Sequence, residues 1–137
     1  MVKMYLIDTN ILLEVLLDQD MADDCEKLIL KLNEGYLAAY ISSFTMHSIE
    51  VILERNKKLD ILKDFLGDAL ESKGLKRFDT TTLDEAETAE ISSNLKLDFD
   101  DAVNYYICKI LNLKIISFDR HFDKTDIERV EPKHLLE

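Results

Sequence analysis

Short apolar runs alternate with longer segments of helical periodicity along this chain, and this alternation is the feature that most restricts its fold. Two runs, 2–7 (VKMYLI) and 114–118 (KIISF), are typical of buried strands. Further strands are predicted at 36–41 and 75–78, with an edge strand at 127–130 before the only proline. Because strands joined through helices pair in parallel, we expect an α/β protein: a three-layer α/β/α sandwich around a parallel sheet of four to five strands.

The helices are predicted from apolar residues that recur every three or four positions between those strands. Polar capping residues mark the starts of several helices. The predicted helices follow Asp8-Thr9-Asn10, span 21–32, follow Ser42 or Ser43, span 58–72, follow Thr80–Thr82 and span 97–111. In the fourth of these, one apolar face is formed by Leu59, Leu62, Phe65 and Leu66. We expect it first of all to pack in the core, with contact to a partner protein or a second subunit as the alternative.

The size and composition indicate one compact domain over residues 1–137. A chain of this length with 47% apolar residues can bury a single core, and one proline with three glycines argues against an all-β fold or linkers. No signal-peptide pattern and no apolar run of roughly 20 residues is present, so we expect a soluble, cytoplasmic protein without a membrane partner. Cys25 and Cys108 lie in apolar-periodic segments and are expected to be buried, reduced thiols.

The net charge is strongly negative, since 17 basic side chains face 28 acidic ones and the formal charge is −11. Such a total works against non-specific binding to a polyanion such as RNA. It is expected where acidic side chains bind cations, or where a basic partner protein covers part of the surface. The positions of the acidic residues therefore matter more than their number.

Two aspartates follow predicted strands. Asp8 ends the first strand and Asp119 follows 114–118. Ligands of open parallel sheets bind outside the carboxyl ends of the strands, so two adjacent central strands would bring these carboxylates together. Either aspartate alone is more typical of a helix cap, but two such positions favour a site.

A third acidic position lies in the segment LDFDDA, where three carboxylates open a predicted helix. Asp98 is a candidate for its N-cap, and Asp98 and Asp101 are three residues apart on one helix face, whereas Asp100 is expected to point elsewhere. Part of this cluster complements the helix dipole. Asp101 is thus a candidate either for a cap or for a ligand.

Converging carboxylates repel one another, and a divalent cation stabilises such a group. Because the candidate donors are oxygens without a His or Cys grouping, Mg²⁺ or Mn²⁺ is preferred to zinc. Hydrolysis of a phosphodiester is the chemistry that such a site performs. We therefore expect Asp8, Asp101 and Asp119 to be catalytic metal ligands, with Asp98 as a further candidate.

Three segments resemble the PIN-domain family, in particular the VapC-like toxins of prokaryotic toxin–antitoxin pairs. They are MYLIDTNILLEVL, ISSFTMHSIEVIL and LDFDDAVNYYICKILNLKIISFDRHFD, and the likeness covers nearly the whole chain. The resemblance implies a parallel sheet flanked by helices, cleavage of RNA with Mg²⁺ or Mn²⁺, frequent homodimers and an antitoxin partner. It also places Asp8, Asp101 and Asp119 at the family's acidic positions.

The chain departs from the family pattern at one acidic position, early in the helix after the second strand. That position falls near Ser48, and the nearest carboxylate, Glu50, is two residues on, or about 200° around a helix at roughly 100° per residue. Three alternatives follow. A shifted helix start brings Glu50 to the metal, or His47 and Ser48 act through a water molecule, or the second metal position is weakened.

The remaining candidates have an ordinary structural interpretation beside the functional one. Thr9 and Asn10 are expected to cap the first helix, or to hydrogen-bond a ligating carboxylate. Arg120, beside Asp119, is either a solvated loop residue or a contact to the substrate phosphate.

Two other protein classes fit less well. A receiver-type signalling domain has paired acids after the first strand and a lysine after the fifth, whereas this chain has the single Asp8 after its first strand. A dehalogenase-like phosphatase has Asp-x-Asp where this chain has Asp8-Thr9-Asn10. A PIN-like fold kept as a binding or regulatory module, without turnover, is the main alternative to a nuclease.

Overall fold

Strands and helices alternate in the computed structural model, which describes residues 4–136. The strands are β1 (Met4–Ile7), β2 (Ala38–Ser42), β3 (Leu75–Phe78), β4 (Lys114–Ile116) and β5 (Arg129–Val130). The helices are α1 (Thr9–Leu16), α2 (Ala22–Glu34), α3 (Ser43–Arg55), α4 (Leu59–Glu71), α5 (Thr82–Leu95) and α6 (Phe99–Leu111). Two short 3₁₀ helices, Arg120–Lys124 and Pro132–Leu135, follow β4 and β5.

The five strands form one parallel sheet in the order β3-β2-β1-β4-β5. The chain therefore builds outward from β1 in one direction and then returns to the other side of β1 with β4. Ile7 pairs with Ile116 at this point, and the Asp8 N–H donates to the Ile116 carbonyl at 3.0 Å. The two central strands end side by side, where parallel sheets bind their ligands.

Helices cover both faces of the sheet, because successive side chains of a strand point to opposite faces. Tyr5 and Ile7 pack in one apolar cluster with residues of α1, α2, α3 and α4. Leu6 packs in a second cluster with residues of α6, and α5 lies against α6. The predicted three-layer α/β/α sandwich is thus confirmed.

The strands are shorter than their apolar runs. β2 begins at Ala38 rather than Tyr36, because Gly35 adopts a left-handed conformation after α2 and the Tyr36 N–H still donates to the Lys31 carbonyl. β4 ends at Ile116, and β5 keeps only Arg129–Val130 at the predicted edge position. The predicted strand start at Val2 lies outside the described residues.

The prediction that Leu59 packs in the core is wrong. Leu59 is the first residue of α4 and is 48% exposed, whereas Phe65 is buried and Leu62 and Leu66 are partly buried. The helix joins the core cluster only one to two turns after its start, through Leu62, Phe65 and Leu66, and periodicity alone does not reveal this. α4 consequently leaves apolar side chains at the surface.

The two cysteines are buried free thiols, as expected. Burial is the main cause that raises the pKa of Cys25 and of Cys108 to about 12, so both remain protonated and unreactive at neutral pH. None of the helices in the described part of the chain is long and apolar enough to cross a membrane.

Replacing Gly74 by Ala is expected to lower the free energy of unfolding by about 3 kcal/mol, since a Cβ there would collide with backbone that cannot move aside. It would overlap the Leu37 carbonyl oxygen and lie 2.5 Å from that of Leu32. Gly67→Ala is the matched control, because a Cβ there meets nothing within 4 Å inside α4. That variant should gain about 0.5–1 kcal/mol. Urea unfolding measures both, and equal effects would contradict the close approach.

Candidate metal centre

Three acidic side chains come from three elements that meet where β1 and β4 end. Asp8 follows β1 and caps α1, because its side chain accepts a hydrogen bond from the Thr9 N–H at 2.8 Å. Asp119 follows β4 and caps the first 3₁₀ helix. Asp101 lies in the first turn of α6, whose residues also contact β1 and β4. The predicted caps Thr9 and Asn10 are instead inside α1, since Asp8 already holds the cap position.

The Asp8 carboxylate is buried and held on both oxygens. Oδ1 accepts from the Thr9 N–H and from Asn104 Nδ2 at 3.2 Å, and Oδ2 accepts from Ser117 Oγ at 2.6 Å. Burial raises the pKa of Asp8, while the hydrogen bonds from Ser117 and Thr9 act in the opposite direction. The orientation of this carboxylate is therefore fixed by its neighbours.

A second group contains Asp101, Asp119 and His121, which each place one donor atom within 4.8 Å of the others. His121 Nδ1 lies 3.1 Å from Asp119 Oδ1 and 3.7 Å from Asp101 Oδ2. Ser117 links this group to Asp8, because its Oγ also accepts from the Asp119 N–H at 2.9 Å. The two strand-end carboxylates are thus positioned by one serine between them.

The prediction that Asp100 points elsewhere is wrong, since Asp98, Asp100 and Asp101 form another group with donor atoms within 4.8 Å. Asp98 holds the N-cap position of α6 with extended backbone and no side-chain capping bond, so helical spacing does not describe its direction. Asp100 Oδ1 accepts from the Asp101 N–H at 3.0 Å.

Crowding among these carboxylates makes Asp101 difficult to ionise. Its pKa is raised to about 7, first by burial and then by the charges of Asp100, Asp119 and Asp8, with His121 acting in the opposite direction. Asp8 is in neither of the two close groups, but its charge reaches Asp101. The structure adds the imidazole of His121 to the carboxylate donors, so the sequence-based expectation of a donor set without histidine is wrong. The group fits a divalent cation, which would relieve the repulsion between the carboxylates.

The family model described as PIN domain matches residues 5–128. The chain belongs to the PIN domain family. The matched region begins inside β1 and ends just before β5, so it contains Asp8, Asp101 and Asp119.

Solved structures share this fold at low sequence identity. A toxin–antitoxin complex from Klebsiella pneumoniae has a TM-score of 0.68 at 19% identity, covering 93% of this chain and 97% of that chain. VapBC2 from Rickettsia felis, bound to a promoter DNA fragment, has a TM-score of 0.69 at 14% identity, and the match covers 93% of this chain and 98% of that chain. FitAcB from Neisseria gonorrhoeae has a TM-score of 0.66 at 20% identity, and the match covers 95% of this chain and 99% of that chain. No curated protein matches the sequence.

Position 48 of this chain carries a serine and not an acidic side chain. Glu50 Oε1 instead lies 3.1 Å from His47 Nδ1 on the outer part of α3, and neither close group within residues 4–136 includes Glu50. His47 and Ser48 line a shallow surface depression beside Phe44. The helix start is not shifted, because Ser42 caps α3 through the Thr45 N–H at 3.0 Å.

Other predicted site residues lie at the surface of the domain or beside the carboxylates. Arg120 and Asn10 are exposed, and neither side chain forms an ion pair or hydrogen bond within the described range. Thr9 is half-buried, and its Oγ1 lies 2.9 Å from that of the buried Thr45. Thr9 therefore joins α1 to α3 directly beside Asp8.

Sequence reasoning missed two residues that hold Asp8. Ser117 stands two residues before Asp119, and Asn104 stands one helical turn after Asp101. Polar residues at these spacings inside apolar runs were the available signal, because burial demands a partner for each of them.

A cleft of about 520 Å³ opens beside Asp101, between the end of α5, the start of α6 and the first 3₁₀ helix. Lys96, Lys124 and Tyr105 contribute to its walls together with His121. Neither lysine forms an ion pair with any residue that the structure describes. Positive charge is thus present next to the carboxylates, although the whole chain is acidic.

Proposed function

We propose that this PIN domain is a metal-dependent endoribonuclease whose ligands for Mg²⁺ or Mn²⁺ are Asp8, Asp101 and Asp119. The observation that carries the proposal is the crowding of these carboxylates at the junction of β1, β4 and α6, with the pKa of Asp101 raised to about 7. A divalent cation bound there supplies an activated, oriented water and neutralises charge on the phosphodiester.

The surrounding residues orient the ligands and set the charge of the site. Ser117 and the Thr9 N–H orient the Asp8 carboxylate, and Ser117 also accepts from the Asp119 N–H, so the ligands are placed before any cation binds. Asp98 and Asp100 add negative charge at the start of α6. This charge attracts a cation but repels RNA, so the substrate needs a positively charged approach.

The cleft beside Asp101 supplies two lysines for that approach in the proposal, while Asp98 and Asp126 line it as well. Lys96 and Lys124 attract the phosphates of an RNA strand, and Tyr105 offers an aromatic ring in the same cleft. The ring of His121 projects from the carboxylates to the solvent, being 66% exposed, and is placed to donate to a phosphate oxygen. RNA binding is therefore local and depends on salt concentration.

The test is cleavage of a mixed RNA pool by the purified chain with Mn²⁺, with Mg²⁺ and with excess EDTA. We expect internal cuts with at least one metal and none with EDTA, because the carboxylates cannot converge on the phosphate without a cation. Cleavage in EDTA that Asp101→Asn retains would reveal a contaminating nuclease and call for a cleaner preparation. Absence of metal-dependent cleavage by the purified wild type would overturn the proposed nuclease.

An antitoxin-type protein partner is part of the proposal. One similar structure is a toxin–antitoxin complex, and on this chain α4 leaves Leu59, Ile61 and Leu70 exposed. Ile61 lines one apolar groove and Leu70 lines another. Surfaces of this kind are typical of protein interfaces. If a neighbouring gene encodes a small DNA-binding protein, and that protein co-purifies with this chain, the result would support the role of a toxin. We also propose that the chain forms a homodimer, and the mass of the isolated chain in solution tests this.

A specific observation favours a second function, a binding or regulatory module without turnover. Ser48 stands where the family pattern has an acid, and Glu50 is paired with His47. Such a module would bind Mn²⁺ through the same carboxylates but would cut no RNA in the assay. The cleavage experiment therefore separates the two functions when it is run alongside a Mn²⁺ titration.

A further inference from the structure

Asn104 is an unusual residue for its surroundings in α6. It is 2% exposed, and its helix neighbours one turn on, Ile107 and Cys108, belong to the apolar cluster between α6 and the sheet. An uncharged amide in such a place replaces an apolar side chain that would pack there without any polar atom to satisfy. A residue of this kind needs a compensating interaction.

Only half of the amide has such an interaction. Nδ2 donates to Asp8 Oδ1 at 3.2 Å, whereas Oδ1 is the only buried side-chain polar atom without a partner between residues 4 and 136. The opposite amide orientation would turn Oδ1 toward the carboxylate of Asp8, which repels it whenever Asp8 is ionised. The orphaned oxygen is therefore a consequence of the bond to Asp8.

The position of Asn104 relates it to the carboxylate cluster. It lies three residues after Asp101 and so shares a helix face with it, while its amide reaches Asp8 on β1. Asn104 thus joins two elements that contribute separate carboxylates. Since Oδ1 is separated from Nδ2 by a single carbon, the orphaned oxygen also lies in the immediate neighbourhood of Asp8.

We propose that Asn104 is a positioning residue of the cation site: Nδ2 holds the Asp8 carboxylate in the orientation that binds metal, and Oδ1 accepts a hydrogen bond from water that enters with the cation. This inference rests on the proposed metal site. It explains why the amide is left half-satisfied, because water accompanying the cation completes its hydrogen bonds.

The test measures Mn²⁺ affinity rather than RNA cleavage. Mn²⁺ is titrated calorimetrically into the metal-free full chain, for the wild type, Asn104→Leu and Asn104→Ser. We expect both variants to weaken Mn²⁺ binding by at least about tenfold. The unfolding midpoint of each metal-free variant is measured as well, so that a loss of fold is not mistaken for a loss of Mn²⁺ binding.

Thr88→Val is the matched control. Thr88 is also fully buried, but its Oγ1 donates to the Asp84 carbonyl within α5 and touches no carboxylate. That variant should bind Mn²⁺ as the wild type does. If Asn104→Leu does not fold, Asn104→Ser is judged by the same criterion.

The outcomes distinguish this inference from the function on which it rests. If the wild type binds no Mn²⁺, the metal site itself is refuted and the role of Asn104 with it. If the wild type binds Mn²⁺ and the folded Asn104 variants bind equally tightly, only the role of Asn104 is refuted. Equal weakening by Thr88→Val would also overturn it, since the effect would then be a general loss of buried polarity.

Discussion

Asp101→Asn is expected to reduce metal-dependent RNA cleavage by at least about a hundredfold. The loss should exceed the 10–100-fold that is common for groups that merely support a ligand, because Asp101 offers a ligand atom itself, within 4.8 Å of those of Asp119 and His121. Initial rates are compared at saturating Mn²⁺ on one defined RNA. The same substitution should stabilise the metal-free protein at neutral pH, because a buried carboxylate among like charges is replaced by a neutral amide.

Asp68→Asn is the control for this prediction. Asp68 is an exposed carboxylate on α4, and its replacement removes the same charge from the chain without touching the cluster. Its cleavage rate should remain within about twofold of the wild type, as for surface substitutions in general. Near-normal cleavage by Asp101→Asn would show that the reaction takes place elsewhere.

The metal-free protein is expected to lose stability as the pH rises from about 4 to about 7. The pKa of Asp101 is 3.8 in the unfolded chain and about 7 in the folded protein, so between these values the folded state holds a proton that the unfolded state has released. The free energy of unfolding therefore falls with rising pH across this window. One pKa unit corresponds to about 1.4 kcal/mol, so Asp101 contributes a decrease of about 4 kcal/mol.

Other groups change this profile in recognisable ways. The pKa of Asp8 is also raised by burial, so Asp8 adds to the decrease. The pKa of Asp123 and that of Asp126 are lowered by hydrogen bonds from Arg129 and Lys109, so their contributions are lost only on acidification below about pH 4. Urea unfolding in EDTA at pH 5, 6, 7 and 8 therefore isolates the acidic cluster.

Asp101→Asn should flatten most of this dependence, whereas Asp68→Asn should keep it. Adding Mn²⁺ to the wild type should also restore stability at pH 7, because a ligand that binds only the folded state stabilises it. Parallel pH profiles for the wild type and Asp101→Asn would contradict the assignment of the window to Asp101.

The two strand-end carboxylates were predictable, but their proximity was conditional on strand order. Asp8 and Asp119 each follow an apolar run, and local patterns are sufficient to place them at the same edge of a parallel sheet. Whether they meet depends on β4 lying next to β1, which the order β3-β2-β1-β4-β5 establishes. Apolar runs do not encode which strand pairs with which.

The surroundings of the carboxylates were less predictable. Counting helical positions from Asp98 directs Asp100 away from the cluster, but the helix begins only at Phe99, so the counting does not apply. The same periodicity predicts Leu59 in the core, although Leu59 is exposed at the start of α4 and lies outside the core cluster. Periodicity describes the faces of one element and not its contacts with the next.

By itself the sequence determined the alternation of strands and helices, the parallel sheet and the acidic residues that follow β1 and β4 and open α6. These features depend on hydrophobic periodicity and capping, which act over a few residues. Only the tertiary structure decided that Asn104 and Ser117 hold Asp8, across sequence separations of 96 and 109 residues, and that Asp101 has a raised pKa. Hydrogen bonding, burial and charge repulsion depend on distances in space, and the packing of α6 against β1 and β4 sets those distances.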